Sequence, residues 1–450
     1  MARKYYVETF GCQMNYHDSE RIAGLLERDG YEAASDETTA DVVVLNTCSV
    51  RERAEEKLYS RLGEIRLANA GREEPVAVAV TGCVAQQEGD RLLRRAPFID
   101  AIAGTQSLKQ LPGLLEEART ARRPQIDIDP HEDVSFPLGV AKPSDPTRAW
   151  VTIIEGCNEF CAFCVVPYTR GNERMRPVAD ILAEVNEAAQ RGRVEVQLLG
   201  QIVNHYQAPD DASCDFADLL ARVNEVPGIR RIRFASPHPR HVTPTLVNAI
   251  RDLPKVCKHL HLPVQSGSSR VLHSMRRRYT RETYLDGVAR LRDAVPGIEL
   301  STDIIVGYPG ETEAEFEETM DLVRTVEFQS IYSFKYSVRP NTLASKRMKD
   351  DVTEGEKTRR IVALQSLQRE IQTRNHTRMI GSVREVLVDS TSRRRSWEVS
   401  GRTFGNTIVN FPGQPEWLGR VVPVRITGAA PNTVRAEALA TSPVEVHHAR

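Results

Sequence analysis

The feature that most constrains the fold of this 450-residue chain is a repeated alternation of strand-like and helix-like patterns. The apolar stretches YYVETFGC, DVVVLNTC and PVAVAVTGC are each followed by an amphipathic pattern. Those helical patterns cover residues 19–29, 51–67 and 86–95. Alternating β and α units place strands side by side in parallel, so the first 120 residues are predicted to form a parallel α/β domain.

Each of these three strand patterns ends in a cysteine, namely Cys12, Cys48 or Cys83. In a parallel sheet the carboxyl ends of all strands lie along one edge, so these distant cysteines are expected to meet there. Clustered cysteines in a chain without a secretory signal favour metal binding over disulfides. The alternative is three separate buried thiols, because free cysteine also packs as a small apolar side chain.

A second alternating series begins near residue 150, after a proline-rich stretch at 124–146 that is typical of a linker. Six strand patterns predict an open or partial (β/α) barrel over residues 143–373, and a doubly wound sheet is the alternative. The strand patterns are AWVTIIEG, VEVQLLG, IRRIRFASP, KHLHLPVQ, IELSTDIIVG and SIYSFKYS. The main helical patterns between and after them cover 178–191, 215–225, 280–294, 312–326 and 354–372.

The last part of the chain, residues 376–445, changes to five short strand patterns separated by Gly, Pro and Asn turns. This spacing predicts a small β-barrel of the oligonucleotide-binding kind. The whole chain has a net charge of −1, which excludes a uniformly basic protein, yet 374–450 holds eleven arginines against six acidic residues. The excess, including the run Arg393, Arg394 and Arg395, favours contact with phosphates. A structural β-module with a solvated face is the alternative.

The stretch GCNEFCAFCVVP carries Cys157, Cys161 and Cys164 in a CxxxCxxC pattern directly after the first strand of the central series. Zinc sites usually need four protein ligands in paired knuckles, which this loop does not supply. Three thiolates suit a [4Fe-4S] cubane whose fourth iron is open to a small molecule with amine and carboxylate groups. A zinc site or a purely electron-transferring cluster is the alternative.

The CxxxCxFC loop followed by a βα barrel series resembles the radical S-adenosylmethionine superfamily. Longer segments narrow the resemblance to its methylthiotransferase family, and closest to those members that act on isopentenyladenosine in tRNA. The segments are YYVETFGCQMNYHDSERIAGLLE, NTCSVRERAEEKLYSRLGE, TGCVAQQEGDRLLRRAP, IIEGCNEFCAFCVVPYTRG, LHLPVQSGSSRVL and LSTDIIVGYPGETE.

The resemblance implies two [4Fe-4S] clusters, S-adenosylmethionine and three domains. Residues 1–120 would form the methylthiotransferase N-terminal domain, 143–373 the radical S-adenosylmethionine core and 376–445 an RNA-binding TRAM domain. The loop cysteines would cleave S-adenosylmethionine to a 5′-deoxyadenosyl radical, and Cys12, Cys48 and Cys83 would hold the auxiliary cluster that provides sulfur. A radical suits this reaction because the C2–H bond of adenine is too strong for a side-chain base.

The implied activity is methylthiolation of C2 of N6-isopentenyladenosine next to the anticodon. Two other substrates fit the same chemistry, a threonylcarbamoyladenosine tRNA and an aspartate of a ribosomal protein. A non-catalytic iron–sulfur RNA-binding protein is the alternative from another class. Cleavage of S-adenosylmethionine by the reduced protein would separate an enzyme from a binding module.

Further cofactor-binding candidates are an aromatic side chain beside the adenine and polar residues at strand ends. They are Phe163, Gln201, Asn204, Ser236, Gln265 and Asp303. At Ile202 and His205 the chain departs from the usual Asn and Ser of the family segment, and each polar candidate could equally satisfy a loop backbone.

The predicted partners follow from the implied chemistry. They are the anticodon stem-loop of a tRNA, a reductant such as flavodoxin or ferredoxin, and a protein that donates sulfur or clusters. The N-terminus lacks the apolar core of a signal peptide, and no apolar run is long enough to span a bilayer. We therefore expect a cytoplasmic monomer without a membrane contact.

Overall fold

The computed structural model describes residues 2–49, 52–72, 74–131, 139–392, 395 and 397–439. Within this part of the chain, no helix is both long and apolar enough to cross a membrane. The arginine run of the C-terminal region lies largely outside the described residues, because only Arg395 of its three members is included.

The N-terminal region is a six-stranded parallel sheet in the order β2-β1-β3-β4-β5-β6, as the alternation predicted. Its strands are β1 (Lys4–Phe10), β2 (Glu32–Ala33), β3 (Val42–Thr47), β4 (Ala77–Gly82), β5 (Ala101–Ala103) and β6 (Gln125–Asp127). Its helices are α1 (Gln13–Arg28), α2 (Glu52–Asn69), α3 (Cys83–Glu88), α4 (Arg91–Arg95) and α5 (Leu111–Ala121). Buried apolar side chains lie on both faces of this sheet.

Two details of this region differ from the sequence-based prediction. The helical pattern at 86–95 is divided into α3 and α4, because the chain turns at Gly89. The stretch 124–146 is not entirely a linker, since its first residues form β6 and pair with β5. β6 has three residues and only one apolar side chain, so its sequence resembles a loop and only pairing with β5 defines it.

The central region is a partial barrel of parallel strands, in the order β7-β10-β11 followed by β12-β13-β14. This confirms the predicted architecture. An isolated parallel bridge joins Ile232, within β11, to Val256. Its strands are β7 (Arg148–Thr152), β8 (Ile154–Glu155), β9 (Arg174–Met175), β10 (Glu195–Leu199), β11 (Arg231–Phe234), β12 (His259–His261), β13 (Glu299–Val306) and β14 (Ser330–Lys335). Its helices are α6 (Val166–Thr169), α7 (Val178–Gln190), α8 (Phe216–Asn224), α9 (Pro244–Asp252), α10 (Ser269–Ser274), α11 (Arg281–Ala294), α12 (Glu313–Val326), α13 (Leu343–Arg347) and α14 (Glu354–Arg378).

The C-terminal region is a closed five-stranded barrel in the order β15-β16-β17-β19-β18, which confirms the predicted small barrel. Its strands are β15 (Val383–Thr391), β16 (Glu398–Thr403), β17 (Ile408–Pro412), β18 (Val421–Ala429) and β19 (Val434–Ala438). Alternate side chains such as Val386, Phe411 and Val424 fill its interior, and closure removes exposed strand edges.

The two outer regions pack at opposite ends of the central strands. At the amino ends, the Arg231 guanidinium donates to the Arg402 carbonyl of the C-terminal barrel at 2.6 Å. At the carboxyl side of β7, the Arg21 guanidinium of α1 donates to the Glu155 carboxylate at 2.9 Å. The N-terminal sheet therefore lies beside the loop that carries the CxxxCxxC cysteines, and the C-terminal barrel does not.

Candidate active site

The fold brings Cys12, Cys48 and Cys83, here called the edge triad, together at one edge of the N-terminal sheet. Cys12 is the N-cap of α1, Cys48 directly follows β3, and Cys83 is the first residue of α3 after β4. The Cys48 thiol lies between the other two and hydrogen-bonds with both. Parallel pairing of β1, β3 and β4 is what aligns the three strand ends.

The thiols of the edge triad share their protons unequally. The hydrogen bond with Cys48, assisted by the Arg170 charge, lowers the pKa of Cys12 to about 6. The same two causes lower the pKa of Cys83 to about 7, and the pKa of Cys48 is raised well above its usual value because its thiol is the shared donor. Two of the three sulfurs are thus favoured as thiolates, the form that binds metals.

A pair of buried asparagines fixes the edge triad in place. The Asn15 side-chain amide donates to Asn46 Oδ1 at 3.1 Å, and Asn46 donates back to the Asn15 carbonyl at 2.8 Å. Cys12 Sγ lies 3.2 Å from Asn15 Oδ1. The sequence analysis missed both asparagines, although a polar residue inside the apolar strand VVVLNT is a signal that could have revealed Asn46.

Cys157, Cys161 and Cys164, the loop triad, lie between β8 and α6 on a loop held by its backbone. The Cys157 N–H donates to the Gly171 carbonyl at 3.1 Å, and the Cys164 N–H donates to the Cys161 carbonyl at 3.0 Å. Phe160 takes a left-handed conformation with φ of 47° inside the loop. The short spacing therefore becomes a tight local turn that presents three sulfurs.

Burial governs the charge of the loop triad. It raises the pKa of both Cys157 and Cys164 to about 12. The Arg277 guanidinium is buried beside the loop and donates to Cys161 Sγ at 3.3 Å. Without a metal these two thiols stay protonated near neutral pH, so cluster binding must displace their protons.

The donor chemistry of both triads suits a cubane, because each triad consists of three cysteine thiols. In a cubane each thiolate binds a different iron, so the sulfurs need to surround a volume and not a point. Each triad supplies three thiols with a buried arginine nearby, Arg170 or Arg277, which suits an anionic cluster.

The structure separates the other predicted cofactor residues by what they contact. Phe163 is partly buried and packs against an apolar cluster that includes Met275 and Tyr308. Gln201 follows β10, and its side-chain amide donates to Met14 Sδ of the N-terminal region at 2.7 Å. The Asn204 side chain donates to the His238 carbonyl and accepts from the His238 N–H. Both polar atoms of its amide are therefore bonded to that loop.

Ser236, Gln265 and Asp303 lie toward the carboxyl ends of the central strands. Ser236 and Gln265 have left-handed backbones, with φ of 61° and 73°. Gln265 is bonded through its backbone to β13, and Asp303 Oδ1 lies 3.4 Å from the His261 ring nitrogen Nε2. Their contact with a cofactor remains a prediction.

The fold, with one cysteine triad on the first barrel loop and a second on an adjoining sheet, defines a radical S-adenosylmethionine enzyme with an auxiliary cluster site. Three family models match the chain: the uncharacterized protein family UPF0004 at residues 4–104, the Radical SAM superfamily at 151–323 and the TRAM domain at 377–439. A structure of a radical S-adenosylmethionine methyltransferase from Kitasatospora setae, with cobalamin and a [4Fe-4S] cluster bound, shares this fold with a TM-score of 0.56. It is 14% identical, and the match covers 77% of this chain and 74% of that one.

Full-length relatives narrow the class. The tRNA-2-methylthio-N(6)-dimethylallyladenosine synthase of Methylococcus capsulatus is 45% identical, over 97% of this chain and 95% of that protein. The protein of the same name from Solibacter usitatus is 43% identical, over 98% of each. The chain belongs to the family of tRNA-2-methylthio-N(6)-dimethylallyladenosine synthases. Its cofactors are accordingly S-adenosylmethionine and two [4Fe-4S] clusters.

Proposed function

We propose that this enzyme adds a methylthio group to C2 of N6-isopentenyladenosine next to the anticodon of tRNA. The observation that carries the proposal is the presence of two separate cysteine triads in one chain, beside each other at the junction of two regions. Breaking a strong C–H bond and supplying sulfur are two tasks, and two clusters allow them to be divided. The full-length identity to enzymes named for this reaction supports the choice of substrate.

When bound, S-adenosylmethionine and the two clusters supply the radical and the methylthio sulfur, which no protein side chain can supply. The protein binds and orients them. Cys157, Cys161 and Cys164 would hold the cluster that binds S-adenosylmethionine, and the Arg277 guanidinium stabilises negative charge at Cys161. Cys157 is buried, and Cys161 and Cys164 are partly exposed, so one side of the loop stays open to an incoming molecule.

The edge triad would hold the sulfur-providing cluster, and the protein places it near the first cluster through contacts around α6. The Thr105 hydroxyl, after β5, donates to the Thr169 carbonyl at 2.5 Å. The neighbouring Gln106 amide donates to the Arg170 carbonyl at 3.2 Å. These bonds attach the chain that follows Cys164 to the carboxyl edge of the N-terminal sheet, an arrangement that would allow both clusters to act on one bound substrate.

The C-terminal barrel would hold the tRNA through its phosphates. Arg384, Arg420, Arg425 and Arg435 are exposed on its surface. The charge of Arg395 is partly neutralised by an ion pair in which its Nη1 lies 3.2 Å from Glu398 Oε2. Because the barrel packs at the amino ends of the central strands, a tRNA held there must extend along the central region to bring its anticodon loop to the cysteines. Deletion of residues 377–450 should weaken tRNA binding and its salt dependence.

We further infer that the enzyme acts in the cytoplasm, because its proposed substrate is a tRNA, and a monomeric state is part of the same proposal. A flavodoxin- or ferredoxin-type reductant and a sulfur or cluster donor complete its partners. The domain limits 1–120, 143–373 and 376–445 and the cofactor roles of the non-cysteine residues belong to the same proposal.

The decisive experiment offers the reconstituted, reduced enzyme two tRNA substrates, one with isopentenyladenosine and one with threonylcarbamoyladenosine. Mass spectrometry of the digested nucleosides should show a methylthio product only from the first. The same product should disappear from the tRNA of a deletion strain. A product from the second tRNA alone would mean that threonylcarbamoyladenosine is the substrate. If the reduced protein does not cleave S-adenosylmethionine, the alternative of a non-catalytic binding protein would be favoured.

A further inference from the structure

Arg170 belongs to the central region but reaches the cysteine site of the N-terminal region. It ends α6, six positions after Cys164, and its side chain is buried. Its Nη2 donates to Asp18 Oδ2 on α1 at 2.7 Å. Since Cys12 is the N-cap of α1, this ion pair joins the segment after the loop triad to the helix that begins at the edge triad.

Packing brings Arg170 and its partner to the helices that carry two of the edge-triad cysteines. The helix α6, which Arg170 ends, packs against α3, the helix that begins at Cys83. The Arg170 guanidinium pairs with Asp18 on α1, whose N-cap is Cys12. The buried cation and the carboxylate that opposes it therefore lie together at the junction of the central region with the edge triad.

We propose that Arg170 is a positioning residue, supplied by the central domain, that raises the reduction potential of the cluster held by the edge triad, with Asp18 as the opposing charge. The inference rests on the proposed function, because it takes the edge triad as cluster ligands. Reduction adds one electron, taken from the chemical titrant, and with it one negative charge to the cluster. A buried cation stabilises the reduced form more than the oxidised form, and a nearby carboxylate does the reverse.

The same arrangement links the two cluster sites physically. The chain from Cys164 to Arg170 begins at the loop triad and ends at the ion pair with Asp18 of α1, and its carbonyls at 169 and 170 accept from Thr105 and Gln106, which follow β5. Separation of the two regions would withdraw the cation from the edge triad. The potential of that cluster thereby depends on correct docking of the domain that generates the radical.

The test uses the full-length chain with Cys157, Cys161 and Cys164 replaced by alanine, so that only the edge-triad cluster forms. After anaerobic reconstitution, dithionite titration followed by electron paramagnetic resonance measures its midpoint potential. Arg170→Gln should shift the potential to more negative values, and Asp18→Asn should shift it to more positive values. Shifts in the same direction, or no shift in either variant, would overturn the proposal, because mere damage to the interface has no reason to change sign.

Arg21→Gln is the matched control, since Arg21 is a second buried arginine between the two regions. Its Nη1 lies 3.8 Å from Asp18 Oδ1 and 2.9 Å from the Glu155 carboxylate. We expect the midpoint potential of the cluster in Arg21→Gln to lie closer to that of the parent than the potentials of the two test variants do. A shift equal to that of Arg170→Gln would show a general interface effect and contradict the proposal.

Iron content separates failure of this inference from failure of the proposed function. A parent protein that binds no iron would refute the assignment of the edge triad as cluster ligands. Bound iron with an unchanged potential in both variants would refute only the role of Arg170. Should Arg170→Gln fail to fold, the double variant Asp18→Asn/Arg170→Gln, which leaves neither charge of the pair without its partner, is compared with Asp18→Asn alone and should show the more negative potential.

Discussion

The loop triad and the edge triad present the same three thiols by opposite means. The three cysteines of the loop triad lie within eight consecutive residues, so the chain itself keeps them near one another, and backbone bonds to Gly171 and Met275 hold the loop. The edge triad comes from three strand ends more than thirty residues apart and exists only because those strands pair in parallel. A local turn defines one site, and the order of strands in a sheet defines the other.

The thiols of the two triads also differ in their protonation. Burial raises the pKa of Cys157 and Cys164 to about 12, whereas hydrogen bonding with Cys48 and the Arg170 charge lower the pKa of Cys12 and Cys83 to about 6 and 7. In the folded chain, Cys12 and Cys83 are therefore favoured as thiolates even without a bound metal. The loop triad depends more on the metal itself to remove its protons.

The largest effects should come from breaking one triad at a time. Cys161→Ala should abolish reductive cleavage of S-adenosylmethionine and all tRNA modification. Cys48→Ala should still form 5′-deoxyadenosine but give no methylthio product. Each variant should lose about half of the iron if one cubane of two is lost. Full iron and continued product in Cys48→Ala would make the edge triad ordinary core thiols.

Two glycines beside the triads offer a matched pair with smaller effects. Gly82 precedes Cys83 with φ of 88°, and an added Cβ would lie 2.4 Å from Asn46 Oδ1. Gly156 precedes Cys157 with φ of 71°, and its Cβ would lie 2.0 Å from the Asn172 carbonyl. Each substitution by alanine should add backbone strain of about 1–3 kcal/mol plus the clash. Iron analysis in chains that retain one triad should show that each variant affects only its neighbour.

Asn46→Ala tests whether the edge triad depends on the side-chain hydrogen bonds that join β3 to α1. The fully buried Asn46 amide bonds Asn15 and Ser19 of α1. Its loss leaves the Asn15 amide without that acceptor and should reduce the free energy of unfolding by about 2–4 kcal/mol. Chemical denaturation measures this cost. Iron at the loop triad should be retained, and equal loss from both sites would contradict the distinction.

The smallest expected effect concerns Glu20 of α1, at its contact with the segment that precedes β7. Burial raises the pKa of Glu20 to about 7, while its carboxylate accepts from the Ser144 N–H at 2.8 Å. The folded state therefore favours protonated Glu20. That stabilisation is fully present below the unfolded pKa, near 4.5, and is lost as the pH rises through 7. The change should be on the order of 1–3 kcal/mol.

Glu20→Gln should accordingly flatten the pH dependence of unfolding between pH 5 and 8. Denaturation curves of the two proteins across this range provide the check. A wild-type chain whose stability rises over the same range relative to the variant would reverse the assigned sign.

The sequence by itself determined the features that depend on short spacing. The CxxxCxxC pattern predicted the loop triad, alternating apolar patterns predicted the parallel strands and the closed barrel, and the helical pattern at 312–326 predicted α12. Such features need only a few neighbouring residues, because helix caps, strand periodicity and tight turns form within one or two turns of the chain.

Tertiary structure decided what joins distant segments. The sequence indicated that the edge cysteines should meet, but it did not show Cys48 between its partners, the Asn15 and Asn46 pair, or Arg170 beside Asp18. Strand β6 and the docking of the outer regions at opposite ends of the central strands were also absent from the pattern. A buried arginine has the same local signature as an exposed one, and only packing determines which charge it meets.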